Sequence, residues 1–289
     1  MLSPEQRELR KKYIGSSDLP AILGLDKFRT IGDVWLEKTG RIAKSARETK
    51  PQGMGHSFES AVIDYFAAEQ GVVVERNLFL TNDIYCSNLD GLIRSVPEVV
   101  EAKTSGVDED FGPTGTDEIP DRILVQVNEQ MHVVSHALGK DCRVAWVPVL
   151  LPSYKHLEVR TYQIKRNDDL LENAIKIGNQ FWHSHVLADT PPDIFKPSID
   201  TLKRVHRQPN KTVTVADELV ISWIDARDLR LQAEKDEKRA LETLLAKMVD
   251  AEGAAYSGGL FTYLEQNRKG YTVEPSTYRV PRIQKGGAR

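Results

Sequence analysis

The sequence is poor in cysteine, has no long apolar run and repeats nothing, and each absence narrows what the chain can be. Its two cysteines, Cys86 and Cys142, form neither a zinc-ligand spacing nor a disulfide framework, which fits a reducing cytoplasm. They also exclude a four-cysteine iron–sulfur cluster supplied by this chain alone. No apolar stretch approaches the ~18 residues needed to span a bilayer, so no membrane partner is expected. The opening residues 1–12 carry charge with no apolar stretch behind it and do not read as a signal peptide. There is no internal repeat and no low-complexity segment.

What is present describes a soluble globular protein. Of 289 residues, 28% are charged and 40% hydrophobic, which leaves room for one large domain, or one domain plus an appendage. A net charge of -3 and a pI of about 6.2 argue against non-specific coating of nucleic acid. Distribution says more than the sum. Basic residues cluster at Arg7, Arg10, Lys11 and Lys12, at Arg41, Lys44, Arg47 and Lys50, and at Lys203, Arg204 and Arg207, while Asp108, Glu109 and Asp110 concentrate acid elsewhere.

The periodicity predicts a short N-terminal helix, a turn and helix cap at residues 14–18, and helices over 30–38 and 57–70 with Gly71 as a C-cap. Residues 49–54 read as a polar connection. Short β-type runs follow at 72–74 and 78–80. A strand over 85–89 then leads to Asp90-Gly91, a hairpin turn signal, and to a strand over 99–103. Residues 108–120 read as a loop, 122–138 as a helix, 143–150 and 157–164 as strands, and 168–186 as a helix. The expected domain ends at 192, with a linker at 193–215. Beyond it a long charged helix to about residue 252 and a hairpin at 260–264 and 271–273 form a C-terminal extension over 216–289.

The chemistry concentrates in Asp90 and in Glu101-Ala102-Lys103. On a strand the period of two puts Glu101 and Lys103 on one face, with Asp90 within reach across the sheet. Two carboxylates and a main-chain carbonyl, for which Ala102 is the obvious donor, are hard oxygen ligands suited to Mg²⁺ or Mn²⁺. A lysine beside them can hold or deprotonate an attacking water, or neutralise charge growing on a phosphate. Glu-x-Lys alone is common. Here Val99, Val100 and Ala102 make the strand a buried type, in which an idle Glu and Lys would be costly.

With those residues in place, the chain resembles the PD-(D/E)XK nuclease superfamily, and within it the YqaJ branch of phage lambda exonuclease-type viral recombinases. The resemblance spans roughly residues 5–190. It rests on four ordered blocks: Arg10…Ile14-Gly15-Ser16-Ser17-Asp18 with Ile22-Leu23-Gly24-Leu25; Trp35-Leu36-Glu37-Lys38-Thr39-Gly40; Gly55…Glu59; and Gln126-Val127…Gln130-Met131. Leu89 stands where the family has proline, and Asn88 where a small hydroxyl residue is usual.

The resemblance implies an α/β fold with a central mixed sheet flanked by helices. It also implies roles. Asp90 would bridge two Mg²⁺ ions, for which Mn²⁺ would substitute, while Glu101 and the Ala102 carbonyl complete one site. Lys103 would position the water, Gln126 would orient Lys103 or the water, and Glu59 would be a further acid near the metals. Arg10 and Ser17, with Asn88 beside them, would bind a 5′-terminal phosphate. The implied activity is 5′-to-3′ digestion of double-stranded DNA from its ends, leaving 3′ overhangs for single-strand annealing. A ring-shaped trimer and an annealing protein are the implied partners, in the cytoplasm of a bacterial or phage-infected cell. Two alternatives are kept: a structure-specific or single-strand endonuclease on the same fold, and a non-catalytic DNA-binding protein. His56 is a possible metal ligand one turn before Glu59. The pair His132 and His136 lacks a third ligand, Trp35 and Trp182 read as core, and Cys86 as an inert strand residue.

Overall fold

The computed structural model describes residues 4–42, 50–106, 110–153 and 156–267. Lys44, Arg47, Asp108, Glu109 and the expected strand at 271–273 lie outside them. Two compact units divide the chain, Met1–His206 and Arg207–Arg289. In the first unit, α1 (Pro4–Leu9) and a 3₁₀ turn (Arg10–Lys12) lead to a two-residue strand β1 (Ile14–Gly15), α2 (Leu19–Ile22) and α3 (Ile31–Lys38). Then come α4 (Lys50–Gln70), β2 (Glu75–Asn82), β3 (Tyr85–Ile93), β4 (Glu98–Val100), β5 (Lys103–Thr104) and α5 (Asp121–Leu138). The hairpin β6 (Val144–Ser153) and β7 (His156–Lys165), α6 (Asp168–Phe181) with a π turn (Trp182–Leu187), and α7 (Ile199–Arg204) complete it.

These strands make one mixed sheet with helices on both faces, as the sequence leads one to expect. The strand β3 pairs antiparallel with β2 along one edge, and its other edge is shared by β1, parallel, and β4, antiparallel. Both β4 and β5 run parallel to β6 in one continuous register, Val99 opposite Ala145 and Lys103 opposite Val149. They are thus two pieces of one strand, interrupted at Glu101 and Ala102. On one face Leu89, Leu92 and Val99 pack with Ile123, Val127, Met131 and Val134 of α5. On the other, Val100 and Ile93 pack against Phe66 of α4. Capping follows the sequence: Thr30 and Asp33 form a capping box on α3, and Gly71 ends α4 at φ 63.

Several expectations need correction. Asp90-Gly91 is not a turn but lies inside β3; the reversal comes at residues 94–97. Gly91 is demanded by close approach, since a Cβ there would sit 2.5 Å from Val74 Cγ1 and 3.1 Å from Val100 Cβ. The helix α4 begins seven residues earlier than its apolar spacing suggests, so residues 50–54 are helical, not a connection. Gly55 then lets it approach β5, with Thr104 Oγ1 only 3.3 Å from where a Cβ would stand. Residues 14–15, read as part of a turn, form β1. The strand after α4 starts at Glu75, so residues 72–74 precede it. Part of the stretch read as a linker packs on the first unit: Phe195 meets Trp35 edge-on at 5.6 Å, and the Ser198 amide donates to Asp33 at 2.7 Å.

The second unit holds α8 (Asp217–Met248), of which Met248 is buried, and a hairpin of β8 (Gly253–Tyr256) and β9 (Gly259–Thr262). This hairpin turns around Ser257-Gly258, and its β9 overlaps the strand expected at 260–264. At 1.5 Å per residue, this 32-residue helix is about 48 Å long. No helix among the described residues is long and apolar enough to cross a membrane.

Candidate active site

The divided edge of β3 creates a cleft. Its first residues, Tyr85 and Cys86, pair with β1, and its last, from Gly91, pair with β4. Between them the strand edge opens. Ser16 and Ser17 enter from the β1 side and Glu101 to Lys103 from the other. Alternation along β3 turns Cys86, Asn88 and Asp90 into the opening, and α4 adds Gly55, His56 and Glu59. The result is a cavity of about 390 Å³ lined by these residues together with Arg10, Thr104 and Gln126. Every site residue expected from the sequence lines it.

One end of the cavity is acidic. Asp90 stands beside the strand interruption, and its carboxylate accepts the Ala102 amide at 3.1 Å. Glu101 is buried and almost fully engaged. Its Oε1 accepts from Lys103 Nζ at 2.5 Å and from Gln126 Nε2 at 2.6 Å, and its Oε2 accepts from Gln130 Nε2 at 2.7 Å. Gln126 closes the triangle by accepting from Lys103 at 3.2 Å. The two glutamines lie four apart on α5 and so share a face. Burial, and next the charge of Glu101, hold the Asp90 carboxyl well above its ordinary value against the opposing pull of Lys103; Glu59 adds to the rise. Burial alone would lower Lys103, but Glu101 and Asp90 outweigh it and raise its pKa, so here the lysine is a firm cation rather than a base.

This donor set fits a hard divalent cation. Two carboxylates and the Ala102 peptide face the same space, and the burial and then the carboxylate repulsion that lift Asp90 are what a bound cation would offset. With three donors on Glu101, about one of its lone-pair positions is left. Among the described residues no three His, Cys, Asp or Glu side chains converge as a ready metal cluster. Asp90 and Glu101 would therefore hold the ion, with Glu59 contributing charge from α4.

The other end is basic. Arg10 Nη2 donates to Ser17 Oγ at 2.9 Å, over Gly15, where a Cβ would stand 2.8 Å from the same nitrogen. Asn88 lies on the β3 floor between this pair and Asp90. Below, Asp18 is buried in ion pairs with Lys38 at 2.6 Å and Arg29 at 2.6 Å. Burial would raise Asp18, yet Lys38, Arg29 and Arg10 together hold it well below the usual carboxylate range.

Sequence reasoning missed four contributors. Gln130 was legible as part of a motif but not as a ligand of Glu101. Asp18 and Lys38, also inside quoted motifs, meet only in three dimensions, 20 residues apart. Glu129 is fully buried and accepts from Ser87 Oγ at 2.8 Å, and burial holds its carboxyl well above the ordinary range. The remaining histidines separate. His56 lines the cavity, whereas His132 meets Asn82 at 3.2 Å and His136 edge-on at 4.6 Å between ring centroids, away from the lining residues. Trp35 and Trp182 are core, as expected. Cys86 lines the floor, but burial pushes its thiol up to about 12, which keeps it from acting as a nucleophile near neutrality.

Comparison with known proteins follows the same residues. Residues 6–137, which contain every cavity-lining position, match the sequence model of the YqaJ-like viral recombinase domain. This segment is thus similar to the YqaJ-like viral recombinase domain. Over 187 residues the chain is 29% identical to the protein YqaJ of Bacillus subtilis (strain 168), covering 63% of this chain and 56% of that one. The match thus spans little more than half the length of that relative. Similar solved structures include the alkaline exonuclease LHK-Exo of Laribacter hongkongensis, 12% identical over 65% of this chain and 94% of that one, with a TM-score of 0.47. A phage related exonuclease from Haemophilus somnus 129PT is 14% identical over 64% and 99% of the two chains, with a TM-score of 0.46.

Proposed function

We propose that this YqaJ-like domain is a Mg²⁺-dependent exonuclease that digests double-stranded DNA from 5′ ends and leaves 3′ overhangs. The observation that carries the reading is a single cavity with two chemically opposite ends. Asp90, Glu101 and Lys103 form one, and the Arg10–Ser17 pair forms the other. Asp90, Glu101 and the Ala102 carbonyl would hold the cations. When bound, Mg²⁺ supplies positive charge against the phosphate oxygens and lowers the pKa of water.

The protein's own part is positioning. Arg10 and Ser17 seat a terminal 5′ phosphate, so the next phosphodiester along that strand lies toward Asp90. Lys103, held by Glu101 and Gln126, presents a fixed ammonium that orients water and meets charge developing on the scissile phosphate. Gln126 and Gln130 fix Glu101 from behind, as outer hydrogen bonds fix a metal-binding carboxylate. A pocket for a terminal phosphate makes cleavage start at an end. The recombinase character of the family favours the 3′ overhang as the product that a single-strand annealing partner takes up. By the same reading the working form is a ring-shaped trimer, for which sedimentation is the test.

Linear and covalently closed duplex DNA, incubated with Mg²⁺ or with EDTA, give the first test. Loss of linear DNA alone, abolished by EDTA and by Lys103→Ala, is the expected result. Equal cutting of closed circles would instead establish an endonuclease, and undiminished activity of Lys103→Ala would remove the assigned site.

A further inference from the structure

Beneath the basic end lies a buried charge cluster with no direct part in the reaction. The Lys38 and Asp18 side chains are 0% and 1% exposed, and their pair is 2.6 Å long. Lys38 Nζ also donates to the Arg10 carbonyl at 2.9 Å. Asp18 Oδ2 accepts the Gly15 amide at 2.8 Å, and Oδ1 accepts Arg29 Nη1 at 2.6 Å. Arg29 is shared in turn with Glu37 at 2.8 Å. The cluster therefore fastens the turn that carries Arg10, the end of β1 and the start of α3 to one carboxylate.

Resting on the exonuclease reading above, we infer that Lys38 is a positioning residue: with Arg29 it occupies Asp18 and so keeps the Arg10 guanidinium free for a 5′-terminal phosphate. The geometry makes Asp18 the natural competitor. Built on Gly15, one Cβ position would lie 2.8 Å from Arg10 Nη2 and 3.0 Å from Asp18 Oδ2, so the guanidinium and this carboxylate oxygen flank the same atom-sized space. Arg10 nevertheless bonds the neutral Ser17 hydroxyl, while Lys38 and Arg29 make the ion pairs with Asp18. A pair of apolar side chains would fill this volume without the cost of desolvating two charges. The arrangement accordingly acts on where Arg10 points and what it neutralises. Removing the ammonium leaves Oδ2 with one amide donor and a guanidinium within reach, and an internal anion then competes with the phosphate.

The test compares wild type, Lys38→Met and the double variant Asp18→Asn with Lys38→Met. Binding is read by fluorescence anisotropy with 5′-phosphorylated and 5′-hydroxyl duplexes in Ca²⁺, and kcat and KM with Mg²⁺. Lys38→Met is expected to lose about tenfold in preference for the phosphorylated end, as a KM effect with kcat at saturation retained. The double variant, lacking the competing anion, is expected to recover most of that preference. A general loss of structure would lower kcat as well and would not be rescued by a second core substitution. Preference unchanged in Lys38→Met, or lost equally in the double variant, overturns the inference. Should Lys38→Met not fold, Arg29→Gln carries the same test, because that guanidinium reaches the surface; unchanged preference again overturns it. If wild type itself ignores the 5′ phosphate, the exonuclease reading of the basic end fails first, and the role of Lys38 falls with it.

Discussion

At the Asp90 end of the cavity carboxylates outweigh cations, and at the Arg10 end cations outweigh carboxylates. The same force, burial, acts on an aspartate in each. Asp90 is lifted above its ordinary value, because Glu101 and Glu59 add to desolvation faster than Lys103 offsets it. Asp18 is driven far below, because Lys38, Arg29 and Arg10 overcome desolvation. One end is short of positive charge and the other holds it in excess, so a cation and an anion have complementary places in one cavity. A strand of DNA running through it, with divalent cations, would satisfy both.

The acidic half can be broken most completely at Asp90. Asp90→Asn should abolish hydrolysis, a loss on the order of 10²–10³-fold or more, yet raise the melting temperature of the metal-free protein at pH 8. The sign follows from the raised folded pKa. The unfolded chain gives up this proton first as pH rises, so stability falls from the ordinary carboxylate range up to the folded value, and an amide removes that loss. The Ala102 amide still finds an oxygen in Asn. No gain in melting temperature in EDTA would contradict the electrostatic account even if activity vanished.

A smaller effect is expected at Gln130. Gln130→Leu removes the donor to Glu101 Oε2 while leaving Lys103 and Gln126 on the other oxygen. Activity should fall by about 10–100-fold, with a matching rise in the Mg²⁺ concentration needed for half-maximal rate. An unchanged Mg²⁺ dependence would mean that Glu101 is not oriented from α5.

Smallest is the effect at Glu129, which feels both ends: Asp18 and Glu101 raise it and Arg10 lowers it, after burial has done most. Glu129→Gln should raise the melting temperature by about 2–4 °C at pH 8. Below the ordinary carboxylate range, where both folded and unfolded chains hold the proton, the gain should disappear. A gain of equal size at low pH would point to packing instead of charge.

The two halves also differ in how far they could be read from sequence. The acidic half is local: a strand period of two puts Glu101 and Lys103 on one face, and Gln126 and Gln130 share one face of the following helix. Even so, Asp90-Gly91 misled. A dipeptide that favours turns sits inside β3, because Val74 and Val100 crowd the glycine. The basic half is non-local. Arg10, Gly15, Ser17 and Asp18 fall close together in sequence, but Lys38 and Arg29 reach Asp18 only after α2 and α3 have packed, and no periodicity announces that. The early start of α4 was hidden similarly, since its glycines weaken helical propensity while one of them, Gly55, serves contact with Thr104.

The most direct test of the two-ended cavity uses one linear duplex with a phosphate on one 5′ end and a hydroxyl on the other, each strand bearing a distinct internal label. With Mg²⁺, the strand beginning at the 5′ phosphate should shorten progressively from that end while its complement persists as single-stranded DNA. Equal loss of both strands, or cleavage beginning at internal positions, would contradict the claim that the Arg10–Ser17 end anchors what the Asp90–Glu101–Lys103 end cuts.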